Sequence, residues 1–164
     1  MSEIDAKSPR RTIDASNRLD REFRFTLDPC ATKATAKCAL YFDESDDGLT
    51  QPWGNHRVFM NPPYGREIYA WTRKARKEAA NGALVVGLLP ASTDLAWWHE
   101  DVIGCCFPGA DPSECTGLAP ERAQIAEILR WYRGRVRFLT GGPYRASGFF
   151  ASVIVIWTSE VRRG

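Results

Sequence analysis

Asn61, Pro62, Pro63 and Tyr64 follow directly on the apolar run Val58-Phe59-Met60 and form the chemically densest stretch of the chain. The two prolines impose a stiff, extended backbone. Pro62 has no N–H and keeps its carbonyl, so it can only accept. An amino group attached to an aromatic ring is a poor nucleophile, because its lone pair is delocalised. Two acceptors aimed at its hydrogens favour a tetrahedral nitrogen and free that pair. The Asn61 side-chain oxygen and the Pro62 carbonyl are such acceptors, Pro63 stiffens their frame, and Tyr64 offers a ring face for stacking. With an already activated sulfonium methyl as donor, positioning supplies much of the catalysis. The competing reading is a proline turn that closes a strand, with Tyr64 as core. The position straight after an apolar strand favours the chemistry, and the tetrapeptide by itself supports methyl transfer to an amino group.

Two further stretches bear on a donor. Phe25-Thr26-Leu27-Asp28-Pro29-Cys30-Ala31-Thr32 puts an acid at a strand end, followed by small residues that let a cofactor approach the backbone; Asp28 can bind its amino group. In isolation the stretch reads equally as a strand-to-turn junction, since Cys30, Ala31 and Thr32 stand where glycines are usual. Asp46-Asp47-Gly48-Leu49 offers a carboxylate for the amino group of an adenine ring, although Asp-Gly in a loop is more often a plain turn. Cys105, Cys106 and Cys115 lie near His99, but no pair has C-x-x-C spacing, so no metal site is expected.

These residues need elements to hold them. Phe23, Phe25 and Leu27 alternate with polar partners and predict a strand that ends at Asp28-Pro29. Residues 30–39 are compatible with a short helix, Tyr41-Phe42 with a brief strand, and residues 43–54 with a loop. Arg57–Met60 predicts a strand and residues 66–80 a helix, with Ile68, Trp71, Ala75 and Ala79 on one face and Asn81-Gly82 at its end. Ala83–Leu89 is a continuous apolar run, the pattern of a strand buried on both faces. Residues 94–103 read as a helix and Val136–Leu139 and Ser152–Trp157 as strands, while Ala123–Trp131 reads as a strand but also fits helical spacing. Strands alternating with helices predict an open α/β sheet. The short separation of Asp28 from Asn61 predicts a compact, trimmed one.

The 164 residues fit one domain, and 44% hydrophobic with 26% charged residues is ordinary for a globular core. Residues 1–20 are polar without a clear apolar period and are expected to be flexible, leaving residues 21–164 as the domain. Residues 104–121, rich in Cys, Pro and Gly, read as an insertion. A net charge of +2 does not announce nucleic-acid binding; arginines cluster at Arg10, Arg11, Arg18, Arg21 and Arg24, and again at Arg130, Arg133, Arg135, Arg137 and Arg145, where they can contact phosphates, although either cluster alone reads more readily as a solvated face. The odd count of five Cys, with no secretory signal, predicts reduced thiols and a cytoplasmic setting, and no apolar run is long enough to span a membrane.

Taken in order, these stretches resemble the phage-type DNA N-6 adenine methyltransferases. The resemblance runs from about Phe23 to Trp157. It adds Ala36-Lys37-Cys38, Gln51 with Trp53, Leu89-Pro90-Ala91-Ser92-Thr93-Asp94 leading to Trp97-Trp98-His99, Gly134–Phe138 and Ala151–Val155 to the motifs above. It implies a Rossmann-like class I methyltransferase sheet, mostly parallel with helices on both faces, and adenine-specific DNA methylation with S-adenosylmethionine as donor. Asn61 and Pro62 would bind the target amine, with Asn61 also bordering the cofactor. Tyr64 would stack on the extruded base, with Arg66 and Asp94 on the target side. Asp28, Cys30, Ala31 and Thr32 would line the cofactor pocket, and Asp47 its adenosine end. A base inside a duplex cannot reach such a pocket, so flipping is implied. DNA as partner, a monomer or weak dimer, no membrane, and a bacterial or phage-infected cytoplasm, with a phage, prophage or restriction–modification setting, complete the expectation. The family usually opens with a Thr-Pro and aromatic segment; Thr12-Ile13-Asp14-Ala15-Ser16 departs from it. The alternatives are a methyltransferase for RNA adenine or a protein glutamine amide, and a degenerate relative retained for nucleic-acid binding.

Overall fold

In a computed structural model, residues 9–103, 128–131 and 151–159 are described. Helix α1 spans Pro9–Phe23, strand β1 Arg57–Met60, helix α2 Ile68–Ala80 and strand β2 Leu84–Pro90. A π-helical turn follows at Trp98–Ile103, then β3 at Ile128–Trp131 and β4 at Ser152–Trp157. The expected strand Val136–Leu139 and the insertion at 104–121 lie outside the described residues, as do Cys105, Cys106 and Cys115.

The sheet order is β1-β2-β4-β3. β1 and β2 pair in parallel, whereas β4 runs antiparallel to both β2 and β3. The expectation of a mostly parallel sheet is therefore corrected: one ladder among the described strands is parallel and two are antiparallel. One reversed strand is the cause. β4 sits between β2 and β3, which consequently point the same way.

Strand alternation sorts the core into two faces. Val58, Met60, Val85, Leu89, Val153, Val155 and Trp157 pack with Ile68, Trp71, Ala75 and Ala79 of α2 and with Trp97, Trp98 and Val102. Phe59, Val86, Leu88, Ile154 and Ile156 face the other way, onto Leu19 of α1 and Phe25. The α2 stripe is the one its spacing predicts, and the helix ends where expected: Gly82 takes φ of 107° just past Asn81.

The region before β1 differs from expectation. Polar residues 9–20 belong to α1, and Phe23 closes that helix instead of opening a strand. Arg24 adopts φ of 51°, its N–H bonds the Asp20 carbonyl at 2.7 Å, and the Asp20 Oδ1 accepts the Phe25 N–H at 3.0 Å. The alternation of Phe23, Phe25 and Leu27 thus reflects a turn, after which Thr26 and Leu27 bond the edge of β1 at Arg57 and Val58 and Asp28 bridges Tyr41 outside the named strands. Residues 30–39 form turns, not a helix.

Candidate active site

The parallel bridge of Leu27 to Val58 carries the chain past β1 so that Cys30 comes level with Asn61. Asn61 lies just beyond the carboxyl end of β1 and Cys30 just beyond the Leu27 bridge beside it, at the edge where open α/β sheets bind ligands. The Asn61 N–H points at the Cys30 thiol, and Tyr64 lies near enough for its hydroxyl to feel the charge of a Cys30 thiolate. Asp28, Cys30, Asn61 and Tyr64 therefore form one cluster.

Asp28 is only 3% exposed. Its carboxylate accepts the Lys37 N–H at 3.1 Å and the Cys30 N–H, yet burial outweighs these bonds and pushes the carboxyl up to about 6. Burial, reinforced by Asp28, likewise holds the Cys30 thiol well above its usual range. Cys30 is thus a protonated packing group and no nucleophile.

Asn61 is half-buried, but its Oδ1 is fully buried and has no hydrogen-bond partner among the described residues. A buried acceptor left unmade costs about 1–3 kcal/mol and is rare. Pro62 beneath it is buried, and Pro63 is exposed. Tyr64 is half-buried and donates its hydroxyl to the Leu88 carbonyl at 3.3 Å, which fixes the ring against β2. Burial raises the Tyr64 hydroxyl above the usual phenol range, so it stays protonated.

A cleft of about 660 Å³ opens beside this cluster. Its walls are Tyr64, Gly65, Arg66, Ile68 and Tyr69 on one side and Pro90, Ser92, Leu95, Ala96 and Trp97 on the other. Arg66 and Tyr64 line the same cleft. Asp94 is exposed and is not in the lining, although Ser92 and Leu95 on either side of it are.

The second acidic loop reaches the cluster from behind. A Cβ on Gly48 would lie 2.0 Å from the Pro29 carbonyl oxygen and 3.2 Å from Trp71, so only glycine lets the loop seat there. Asp47 beside it is exposed and adopts φ of 52°. Trp53, fully buried, donates its indole N–H to the Gly48 carbonyl at 2.9 Å and its backbone N–H to Glu78 at 3.0 Å. The loop is thereby locked onto α2. Ala31 is buried and Thr32 exposed, with the Thr32 N–H capped by Thr35 Oγ1 at 2.9 Å.

Tyr69, Leu95 and Ala96 of the cleft lining were not singled out from sequence. Tyr69 follows the apolar face of α2 by one position. Leu95, 45% exposed, is an apolar residue in an otherwise polar loop, the one signal that marked it. Among the described residues no group of three or more His, Cys, Asp or Glu could hold a metal ion. No helix among them is long and apolar enough to cross a membrane.

A family model described as DNA N-6-adenine-methyltransferase (Dam) matches residues 7–163. No curated protein matches the chain.

Proposed function

Because the chain belongs to the DNA N-6-adenine-methyltransferase (Dam) family, we propose that it transfers a methyl group from S-adenosylmethionine to the exocyclic amino group of adenine in DNA, on a sheet of the Rossmann-like class I type. The observation that carries this reading is the buried, unpartnered Oδ1 of Asn61 at the end of β1. It is an acceptor held ready for an amine hydrogen.

The residues present fit the donor. Asp28 is a buried carboxylate suited to an ammonium group, and the Gly48 loop seats directly on the neighbouring Pro29. When bound, the cofactor supplies an activated methyl. Asp28, with the Cys30–Thr32 turn, would hold its amino-acid end, and Asp47 would accept from its adenine ring. Asn61 Oδ1 and the Pro62 carbonyl would each take one hydrogen of the target amine, turning its lone pair toward the methyl. Tyr64, anchored at Leu88, would present its ring face to the flipped base, with Arg66 at the rim. As methylation proceeds, the surplus amine proton passes to water, since no group in the cluster is a strong base. Asp94, outside the cleft lining, keeps at most a peripheral role on the target side.

Incubation with labelled S-adenosylmethionine and separate DNA, RNA and protein substrates tests the proposal. Label on N6 of DNA adenine is the expected result. Label on RNA or glutamine alone, or on nothing, overturns it.

A further inference from the structure

Arg66, Ala70, Arg73 and Lys77 are all exposed and recur at helical spacing, so they form one stripe on the solvent side of α2 and the turn before it. The stripe begins at the cleft, because Arg66 lines it. The neighbouring cations are engaged elsewhere: Lys74 binds Glu78 at 2.7 Å, and Arg76 lies 3.7 Å from the buried Asp101. Arg66 and Lys77 have no ion-pair partner among the described residues. Arg73 is 60% exposed; it meets Glu100 at 3.1 Å and lies over the Tyr69 ring at 4.5 Å, contacts that hold the guanidinium in place with its outer edge open to a phosphate. Ala70, between them, keeps the stripe low. From Ile68 to Lys77 the helix rises about 14 Å. Phosphates of one DNA strand are about 3.4 Å apart along the helix axis and farther apart along the strand itself, so over this length the three cations can each meet a separate phosphate.

The geometry points to a nucleic-acid strand lying along α2, its phosphates on Arg66, Arg73 and Lys77 and its target nucleotide turned into the cleft at the Arg66 end. This assignment rests on the proposed nucleic-acid substrate and names the surface that positions it. Arg18 and Arg21 of the sequence-level arginine cluster are also exposed, but they sit on α1, which packs on the opposite face of the sheet through Leu19. They are remote from the cleft side.

The test uses the full chain and a fluorescent DNA duplex, with anisotropy titrations over a range of NaCl. Arg73→Gln/Lys77→Gln should flatten the slope of log K against log salt by about two, near 0.9 for each phosphate deprived of its cation, on any duplex sequence. S-adenosylmethionine affinity should not move. Arg18→Gln/Arg21→Gln should keep the parent slope. An unchanged slope for the α2 pair, or a flattened slope for the α1 pair, overturns the assignment. So does an α2 pair that loses only binding to polyglutamate, which would make the stripe an acidic-peptide surface. Failure of the catalytic reading looks different: duplex binding with a stripe-dependent slope and no methyl on DNA removes the enzyme and leaves the surface standing.

Discussion

Replacing Asp28 by Asn should stabilise the cofactor-free protein above neutral pH while disabling it. Burial raises the folded-state pKa of Asp28 from 3.8 to about 6, so the folded chain holds this proton more tightly than the unfolded chain does. Between these two values the folded state carries the greater proton occupancy, and stability falls as pH rises through the window. A rise of that size corresponds to roughly 3 kcal/mol, present below pH 4 and lost by about pH 7. The substituted amide would carry no charge, and its oxygen could still accept the Lys37 N–H, which now reaches Oδ2 at 3.1 Å. Its N–H₂ cannot also accept the Cys30 N–H, which costs about 1 kcal/mol. The net gain at pH 8 is about 2 kcal/mol, or a rise in Tm of roughly 4–8 °C for a chain of this size. Urea titrations of both proteins from pH 4 to pH 8, without cofactor, would show the curves diverging as pH rises. Saturating S-adenosylmethionine should reverse the order, because only the parent gains ligand stabilisation. Parallel pH profiles, or an Asp28→Asn protein that is less stable at pH 8, would refute the reasoning.

Asn61→Ala should abolish methyl transfer and leave S-adenosylmethionine binding, measured by calorimetry, within a few-fold; an active variant would refute the assigned role. Tyr64→Phe keeps the ring and loses the bond to the Leu88 carbonyl, so DNA affinity should hold while stability falls by about 1 kcal/mol. Tyr64→Ala should weaken the target complex by about 1–3 kcal/mol, the usual worth of one stacked base, read as a higher KM for DNA. Gly48→Ala forces a methyl onto the Pro29 carbonyl, and should cost about 1–3 kcal/mol or more in denaturant titration and weaken cofactor binding in parallel. Chelators should leave the methyl-transfer rate unchanged.

What the sequence revealed depended on whether local pattern or tertiary packing decided the outcome. β1, the buried face of α2, its Asn81-Gly82 terminus and the apolar runs of β2 and β4 follow from periodicity and turn chemistry, and they emerge within a residue or two of expectation. The juxtaposition of Asp28 with Asn61 was implied by both sitting at strand ends. α1 was missed because its described sheet-facing anchors, Leu19 with Phe23 beside it, are set among arginines and aspartates. The direction of β4 depends on the connection before it and not on its own Ser-Val-Ile-Val-Ile-Trp, which would read alike in either sense. The cleft wall of Leu95 and Trp97 depends on the π-helical turn behind it, which is held by the Thr72 hydroxyl on Asp101 at 3.0 Å and the Trp157 indole on the Asp101 carbonyl at 2.8 Å. No local pattern announces a wall built from such distant partners.

The reversed strand also governs how the molecule assembles in time. β4 lies between β2 and β3 although it follows both in the chain, and its register joins Val85 to Trp157 and Pro90 to Ser152. Closing loops of that length costs entropy before any pairing rewards it, so β4 is expected to dock after β1 and β2 have paired. Stopped-flow refolding of a Val155→Ala variant would check this by an unchanged folding rate and a faster unfolding rate. Until it docks, β2 presents an apolar edge with open N–H and C=O groups, a template for another chain. The vulnerable species is therefore the half-assembled sheet, and the yield of soluble protein depends on how quickly residues 152–157 fill their slot.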